Sequence, residues 1–212
     1  MKTKLFQTLT ILLFVNGIVA QNYTQPKNDT KERFYENAKK AGMTETKTEE
    51  LLKIIDDRNK VLKDLDTKKK QADAPYSIQD PGTLYNFKIN SARTYYAKKI
   101  STLLTYKEYA EFTADDYKKE ANENAKIEYE QLINNNTTLT EKQRKELYLL
   151  IYNYHLNQFL TTAYYSFDKT EQKPKLGILR FTFEKEFKKR CKEYNIKIQA
   201  PSGENTNGFE WN

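Results

Sequence analysis

The length, composition and charge of the chain limit its fold and its chemistry. The sequence has 212 residues, of which 31% are charged, with a mean hydropathy of −0.90 and a formal net charge of +7. A chain of this length suits one domain, and its small apolar content favours long helices with narrow apolar stripes. A protein with so thin a core often buries further apolar surface against a second copy of itself. A homodimer is therefore one of the possibilities. The single cysteine, Cys191, excludes an intramolecular disulfide.

The first twenty residues have the pattern of a secretory signal. Lys2 and Lys4 precede an apolar run over residues 5–15, and the small residue Ala20 stands before Gln21. These features are typical of a signal peptide that is cleaved after Ala20. The sequence therefore predicts a periplasmic or secreted protein with no transmembrane segment after cleavage. An uncleaved N-terminal anchor is the alternative.

The rest of the chain is predicted to be a single helical domain over residues 31–198, between a disordered lead-in (21–30) and a flexible tail (199–212). Apolar residues at helical spacing predict the helices, and Pro and Gly mark the turns. Gly42 is placed to end the first helix, and a loop is expected over residues 71–83. Thr105 and Thr113 each offer a helix start or a position inside one continuous helix. Predicted helices cover residues 31–41, 44–70, 84–103, 105–133, 139–165 and 174–195.

The segment over residues 139–165 is the one around which the fold is expected to form. Thr140 and Gln143 have the spacing of a capping box. From Leu147 onward the helix is apolar or aromatic on several faces, which is typical of a central helix with neighbours on more than one side. A membrane span is rejected because polar residues such as Glu146 and His155 interrupt the run. We therefore predict an all-α fold of five or six helices in antiparallel hairpins around this central apolar helix.

Two segments of the chain are similar when one is shifted by 96 positions. Thr44 then lies over Thr140, Leu51 over Leu147, and Ile55 over Ile151. Two explanations stay open. Any capped amphipathic helix gives this pattern, or the chain contains an internal duplication with halves near residues 43–110 and 139–195.

The residues Leu139-Thr140-Glu141-Lys142-Gln143 match the L-T-x-x-Q motif, and the chain here resembles the Spy/CpxP family of small exported helical proteins. The family usually carries the motif twice. The second copy would begin at Met43 and Thr44, where the threonine is kept but the leucine and glutamine are not. The resemblance implies an ATP-independent chaperone or stress modulator, often a cradle-shaped dimer. This chain is longer than is usual in the family and richer in tyrosine.

No catalytic constellation is visible in the sequence, so we expect no enzyme activity, no cofactor and no metal. A nucleophilic pair would need His155, which lies in the middle of the apolar helix. The six glycines form no phosphate-binding loop, and no Cys or His cluster is present. An enzyme that uses Cys191 or His155 is the third-ranked hypothesis. A lone thiol is usually a small buried hydrophobe, and an intermolecular disulfide is its functional alternative.

The functional prediction rests on the tyrosines and lysines of the surface. Tyrosine offers a large contact area and its hydroxyl group tolerates water. Lysine supplies long-range attraction to acidic partners or anionic membranes, and nucleic acid is not expected for an exported chain. We predict a chaperone-like or stress-related protein that binds non-native or envelope proteins through tyrosine and aliphatic helix faces. A structural or adaptor subunit of an envelope assembly is the alternative. The candidate surface comprises Tyr95, Tyr96, Lys98, Lys99, Tyr148 and Tyr152.

Overall fold

A computed structural model describes residues 31–72, 81–134, 136 and 138–196, and this part of the chain contains helices and turns but no strand. The predicted signal peptide, the lead-in and the tail over residues 199–212 lie outside the described residues. The helices are α1 (Lys31–Lys40), α2 (Glu45–Gln71), α3 (Pro81–Leu103), α4 (Tyr106–Ile133), α5 (Glu141–Tyr164) and α6 (Lys169–Glu193). The predicted all-α fold is confirmed.

The helices pack as a series of antiparallel hairpins. The helix pairs α2–α3, α4–α5 and α5–α6 pack against each other, and α1 lies on α4. α5 therefore contacts a helix on each side, as its apolar sequence predicts, and its C-terminal end also joins the core formed with α1 and α2. The turns between α4, α5 and α6 are short, and short turns make consecutive helices pack antiparallel.

Threonine caps define where the long helices begin. Thr140 and Thr105 each form a complete capping box, with Gln143 and Glu108 respectively, whereas Thr44 only accepts a hydrogen bond from the backbone N–H of Lys47. Thr105 therefore starts a new helix. Thr113 lies inside the continuous α4, where its hydroxyl donates to its own helix backbone. Gly42 has a φ of +70° directly after α1, a left-handed conformation that glycine adopts without strain.

Two of the predicted boundaries are wrong, and both involve proline. Pro81 and Gly82 were expected in a loop, but they form the first turn of α3, where a missing proline N–H costs nothing. Pro174 was expected in the first turn of the last helix, but α6 begins five residues earlier at Lys169. Asp168 caps that earlier start by accepting hydrogen bonds from the backbone N–H groups of Thr170 and Glu171. The stronger cap sets the start, and Pro174 is accommodated inside the helix.

Buried apolar side chains form two clusters at the two ends of the α4–α5 hairpin. The first cluster gathers residues from α1, α2, α3, α4 and α5 and their connecting turns: Phe34, Ala38, Ala41, Leu51, Ile55, Ile100, Leu104, Tyr109, Phe112, Tyr117, Ala121, Phe159, Leu160 and Ala163. The second cluster joins α4, α5 and α6 through Ala125, Ile151, Tyr154 and Phe183. Leu51 and Leu147, which coincide in the shifted alignment, are both buried, as are Ile55 and Ile151. The internal duplication stays a prediction.

The far half of the α2–α3 hairpin extends away from both clusters. Residues 59–72 of α2 and the adjoining turn, and 82–95 of α3, include no fully buried side chain. This part of the hairpin, which we call the arm, is held by contacts between its two helices. None of the helices in the described ranges has the length and apolarity needed to cross a bilayer.

Candidate binding surfaces

An open groove lies on the α4–α5 hairpin and has a volume of about 390 Å³. Its walls combine aromatic, aliphatic, amide and ammonium groups, which come from one turn of α4 and the facing stretch of α5. The lining residues are Lys118, Lys119, Asn122, Tyr148, Leu149 and Tyr152. The groove thus brings together two of the six surface residues predicted from the sequence, Tyr148 and Tyr152.

The tyrosines of the groove are held in place by neighbours on both helices. The Tyr148 hydroxyl donates a hydrogen bond of 2.5 Å to Oδ1 of Asn122, and its ring lies edge-on to Tyr129 with a centroid distance of 5.4 Å. Tyr152 is half-buried and packs against both core clusters. Burial, and then the neighbouring Tyr152, raise the pKa of Tyr148, so this hydroxyl stays neutral at ordinary pH. The groove therefore presents fixed aromatic faces.

Lysines make the α4 side of the groove positive. Lys118 forms a 2.5 Å ion pair with Asp115, which raises the pKa of the lysine. Lys119 is exposed, and its nearest carboxylate in the described chain, Glu123, is 4.0 Å away with both side chains largely in solvent. An exposed pair of this kind contributes little, so Lys119 remains able to attract an acidic group.

The other predicted surface residues lie on α3, which packs on α2 and does not line the groove. Tyr95, Lys98 and Lys99 are exposed, and the Lys99 ammonium lies 4.9 Å from the centre of the Tyr95 ring. Tyr96 is buried and contacts the Tyr95 ring edge-on. Its side chain is therefore unavailable to a partner, because its position on the helix belongs to the stripe that faces α2.

Two exposed apolar residues of α3 were missed by the sequence reasoning. Phe87 is 70% exposed and Leu84 is 46% exposed. Both lie on the same side of the helix as Tyr95, at spacings of three and eight residues. A helical projection of α3 separates this outer set from the inward stripe of Ile89, Tyr96 and Ile100, and would have identified it.

The motif residues have a structural role in the described chain. Leu139 is buried beside the cap, Thr140 and Gln143 form the capping box, and Met43 packs at the edge of the first cluster. Thr44 caps α2. None of them lines the groove. Their geometry fixes the starts of α2 and α5.

The two residues that a catalytic hypothesis would need are both buried. Nε2 of His155 lies 2.8 Å from Oε2 of Glu128, and its Nδ1 has no hydrogen-bond partner in the described structure. Burial raises the pKa of Cys191 to about 11, so its thiol is protonated and unreactive at neutral pH. The described residues contain no group of three or more potential metal ligands.

A buried arginine lies inside the first cluster and was not foreseen. Arg58 is 4% exposed and, with Arg93, Asp116, Tyr109 and Tyr117, lines a cavity of about 30 Å³. Burial and the nearby Arg93 lower the pKa of Arg58, while the two tyrosines raise it. A cavity of this size has room for one or two waters. Arg58 and its neighbours are therefore part of the core, since the other residues that line the cavity belong mostly to the first cluster.

The chain has no significant match to a protein-family model, to a curated protein sequence or to a solved structure. The resemblance to the Spy/CpxP family therefore stays a prediction that rests on the Leu139–Gln143 motif. The fold and surfaces define the class of protein: an all-helical protein with an open, tyrosine-lined groove.

Proposed function

We propose that the protein is a chaperone-like binding protein that holds non-native segments of other proteins in the groove between α4 and α5. The predicted signal peptide and the L-T-x-x-Q motif favour this function on sequence grounds. The single observation that carries it is the juxtaposition of Tyr148, Leu149 and Tyr152 with Lys118 and Lys119 in one open groove.

The composition of the groove suits an extended, unfolded occupant of varied sequence. Tyrosine gives large contact area with few side-chain rotors to immobilise, and its hydroxyl tolerates water. The exposed apolar surface of Leu149, which is 43% exposed, can take aliphatic side chains. Lys119 adds attraction for acidic segments without demanding a particular geometry. Binding through these side chains needs no ATP.

The direct test follows the aggregation of an unrelated unfolding protein by light scattering, with and without the chain from Gln21 onward and without ATP. We expect suppression near one-to-one stoichiometry. The double variant Leu149→Ser with Lys119→Glu should lose most of this suppression, because it removes the aliphatic contact and reverses a charge. Both side chains are exposed, so the fold should be unaffected.

A matched control places the same chemical changes outside the groove. Ile178→Ser with Lys142→Glu alters an exposed isoleucine on α6 and an exposed lysine on α5, and it should suppress aggregation as well as the unchanged chain does. Equal losses in the two double variants would contradict the groove assignment. A chain that suppresses nothing but cross-links to a single envelope protein would instead be an adaptor subunit.

A further inference from the structure

The outer face of α3 combines apolar and cationic side chains in a way that the proposed groove does not use. Leu84, Phe87 and Tyr95 project outward along one side, with Lys88 directly after Phe87 and Lys98 three residues after Tyr95. The opposite stripe packs on α2. A face of large exposed apolar residues on a chain this polar marks an interaction surface.

α3 is also the one described helix without an acidic residue. Its charges are Lys88, Arg93, Lys98 and Lys99, and none of them forms an ion pair in the described part of the chain, although Asp57 of α2 acts on Lys99 from a greater distance. Lys88 and Lys99 instead lie over the rings of Tyr85 and Tyr95. This positive face attracts partners with negative charge.

We propose that the outer face of α3 docks on an anionic lipid surface, with the helix lying along the membrane plane. Phe87, Leu84 and Tyr95 enter the interfacial region, and Lys88 and Lys98 extend their ammonium groups to the lipid phosphates. Most of the face lies on the arm, whose α3 residues include no fully buried side chain, and it ends at the exposed Lys98. From Leu84 to Lys98 the face runs for roughly 21 Å along the helix axis.

The residue types favour a lipid surface over an acidic protein. Lysine is depleted from the buried centre of protein interfaces, whereas lysines beside aromatic residues are typical of helices at membrane surfaces. The helix of the comparable exposed pair on α6, Ile178 and Phe181, differs because it carries carboxylates that pair with several of its cations, such as Glu184 with Arg180 at 2.8 Å. Lys188 lies 3.8 Å from Glu184, and Lys189 lies 3.9 Å from Glu193. The field near α6 is therefore partly cancelled.

The experiment measures binding of the chain from Gln21 onward to vesicles by flotation, which avoids the apolar run of the predicted signal. Vesicles of phosphatidylglycerol and phosphatidylcholine are compared with phosphatidylcholine alone, at low and high salt. We expect binding to the anionic vesicles only, and loss of most binding at high salt. Lys88→Glu with Lys98→Glu should lower the partition coefficient about tenfold or more.

Phe87→Ser tests the apolar part of the proposal, and Phe181→Ser on α6 is its matched control, since the two phenylalanines are similarly exposed. Phe87→Ser should weaken vesicle binding several-fold, while Phe87→Leu and Phe181→Ser should retain it. Absence of binding by the unchanged chain, equal binding to neutral vesicles, or equal loss from Phe181→Ser would overturn the proposal. So would sedimentation showing a dimer that Phe87→Ser dissociates, because the face would then belong to a second copy.

Discussion

Lys47 and Glu108 join the first turns of α2 and α4 through two hydrogen bonds of 2.7 and 2.9 Å from one ammonium group. Glu108 at the same time accepts from the backbone N–H of Thr105 as the second half of a capping box. One carboxylate therefore fixes where α4 begins and how α2 lies against it. Both side chains are partly buried, so solvent screens the pair less than it screens the surface pairs of this chain.

Replacing Glu108 with glutamine should separate these two roles. Glutamine retains the capping box but loses the charge, so we expect Glu108→Gln to lower the free energy of unfolding by on the order of 1 kcal/mol at neutral pH. Chemical denaturation followed by circular dichroism measures this difference. Glu111→Gln, on the exposed side of α4, is the control and should change little.

The same carboxylate predicts how stability depends on pH. Hydrogen bonds from Lys47 and then from the Thr105 backbone lower the pKa of Glu108 to about 2 from its usual value near 4.5. Below pH 4.5 the unfolded chain therefore binds a proton that the folded chain does not, and stability falls as the pH drops towards 2. The Glu108→Gln variant should lose less stability over this interval than the unchanged chain. Parallel curves would contradict the assignment.

The capping box of α5 should contribute more to stability than the simple cap of α2. Thr140→Ala removes the acceptor for the Gln143 N–H and a partner of the Gln143 side chain, and should cost about 1–2 kcal/mol. Thr44→Ala removes a single 3.3 Å bond and should cost less. Thermal denaturation gives both values. Thr67→Ala, on the exposed side of α2, should be neutral or slightly stabilising, because alanine favours helix interiors.

The threonine caps also explain why so much of the fold was predictable. A cap and an apolar stripe are local features, so the starts of α2 and α5 followed from Thr44 and Thr140, whereas the sequence left open whether Thr105 begins α4. The misplaced start of α6 has a physical reason of the same kind. Asp168 and Pro174 both signal a helix start, and only the hydrogen-bonding geometry decides that the aspartate prevails.

The binding surfaces were less predictable because they depend on which helices meet. Tyr148 and Tyr152 were identified, but their partners Lys118, Lys119 and Asn122 come from α4 and become neighbours only in the hairpin. Tyr95 and Tyr96 are adjacent in sequence, yet one is exposed and the other buried. Residue type alone gives both tyrosines the same predicted role. Because successive residues of a helix point in different directions, Tyr95 faces solvent and Tyr96 faces α2.

Arg58 gives a prediction for the first cluster. Arg58→Ala should lower the free energy of unfolding by about 3 kcal/mol, because it leaves a cavity and removes a partner of buried polar groups. Arg58→Met keeps much of the volume and removes the buried charge, so it should cost clearly less. Equilibrium denaturation distinguishes the two, with the exposed Lys53→Ala as the control. Equal costs for alanine and methionine would show that the charge, and not the volume, matters.

Cys191 gives a prediction about covalent assembly. Its thiol is buried on α6 and burial raises its pKa to about 11, so very little of it is thiolate at pH 8. A thiol-reactive chromogenic disulfide should therefore label the folded chain slowly and the denatured chain rapidly at that pH. Non-reducing electrophoresis should show a monomer, and Cys191→Ala should leave the oligomeric state unchanged. Rapid labelling of the folded chain, or a disulfide-linked dimer that Cys191→Ala abolishes, would show that the helix opens enough to expose the thiol.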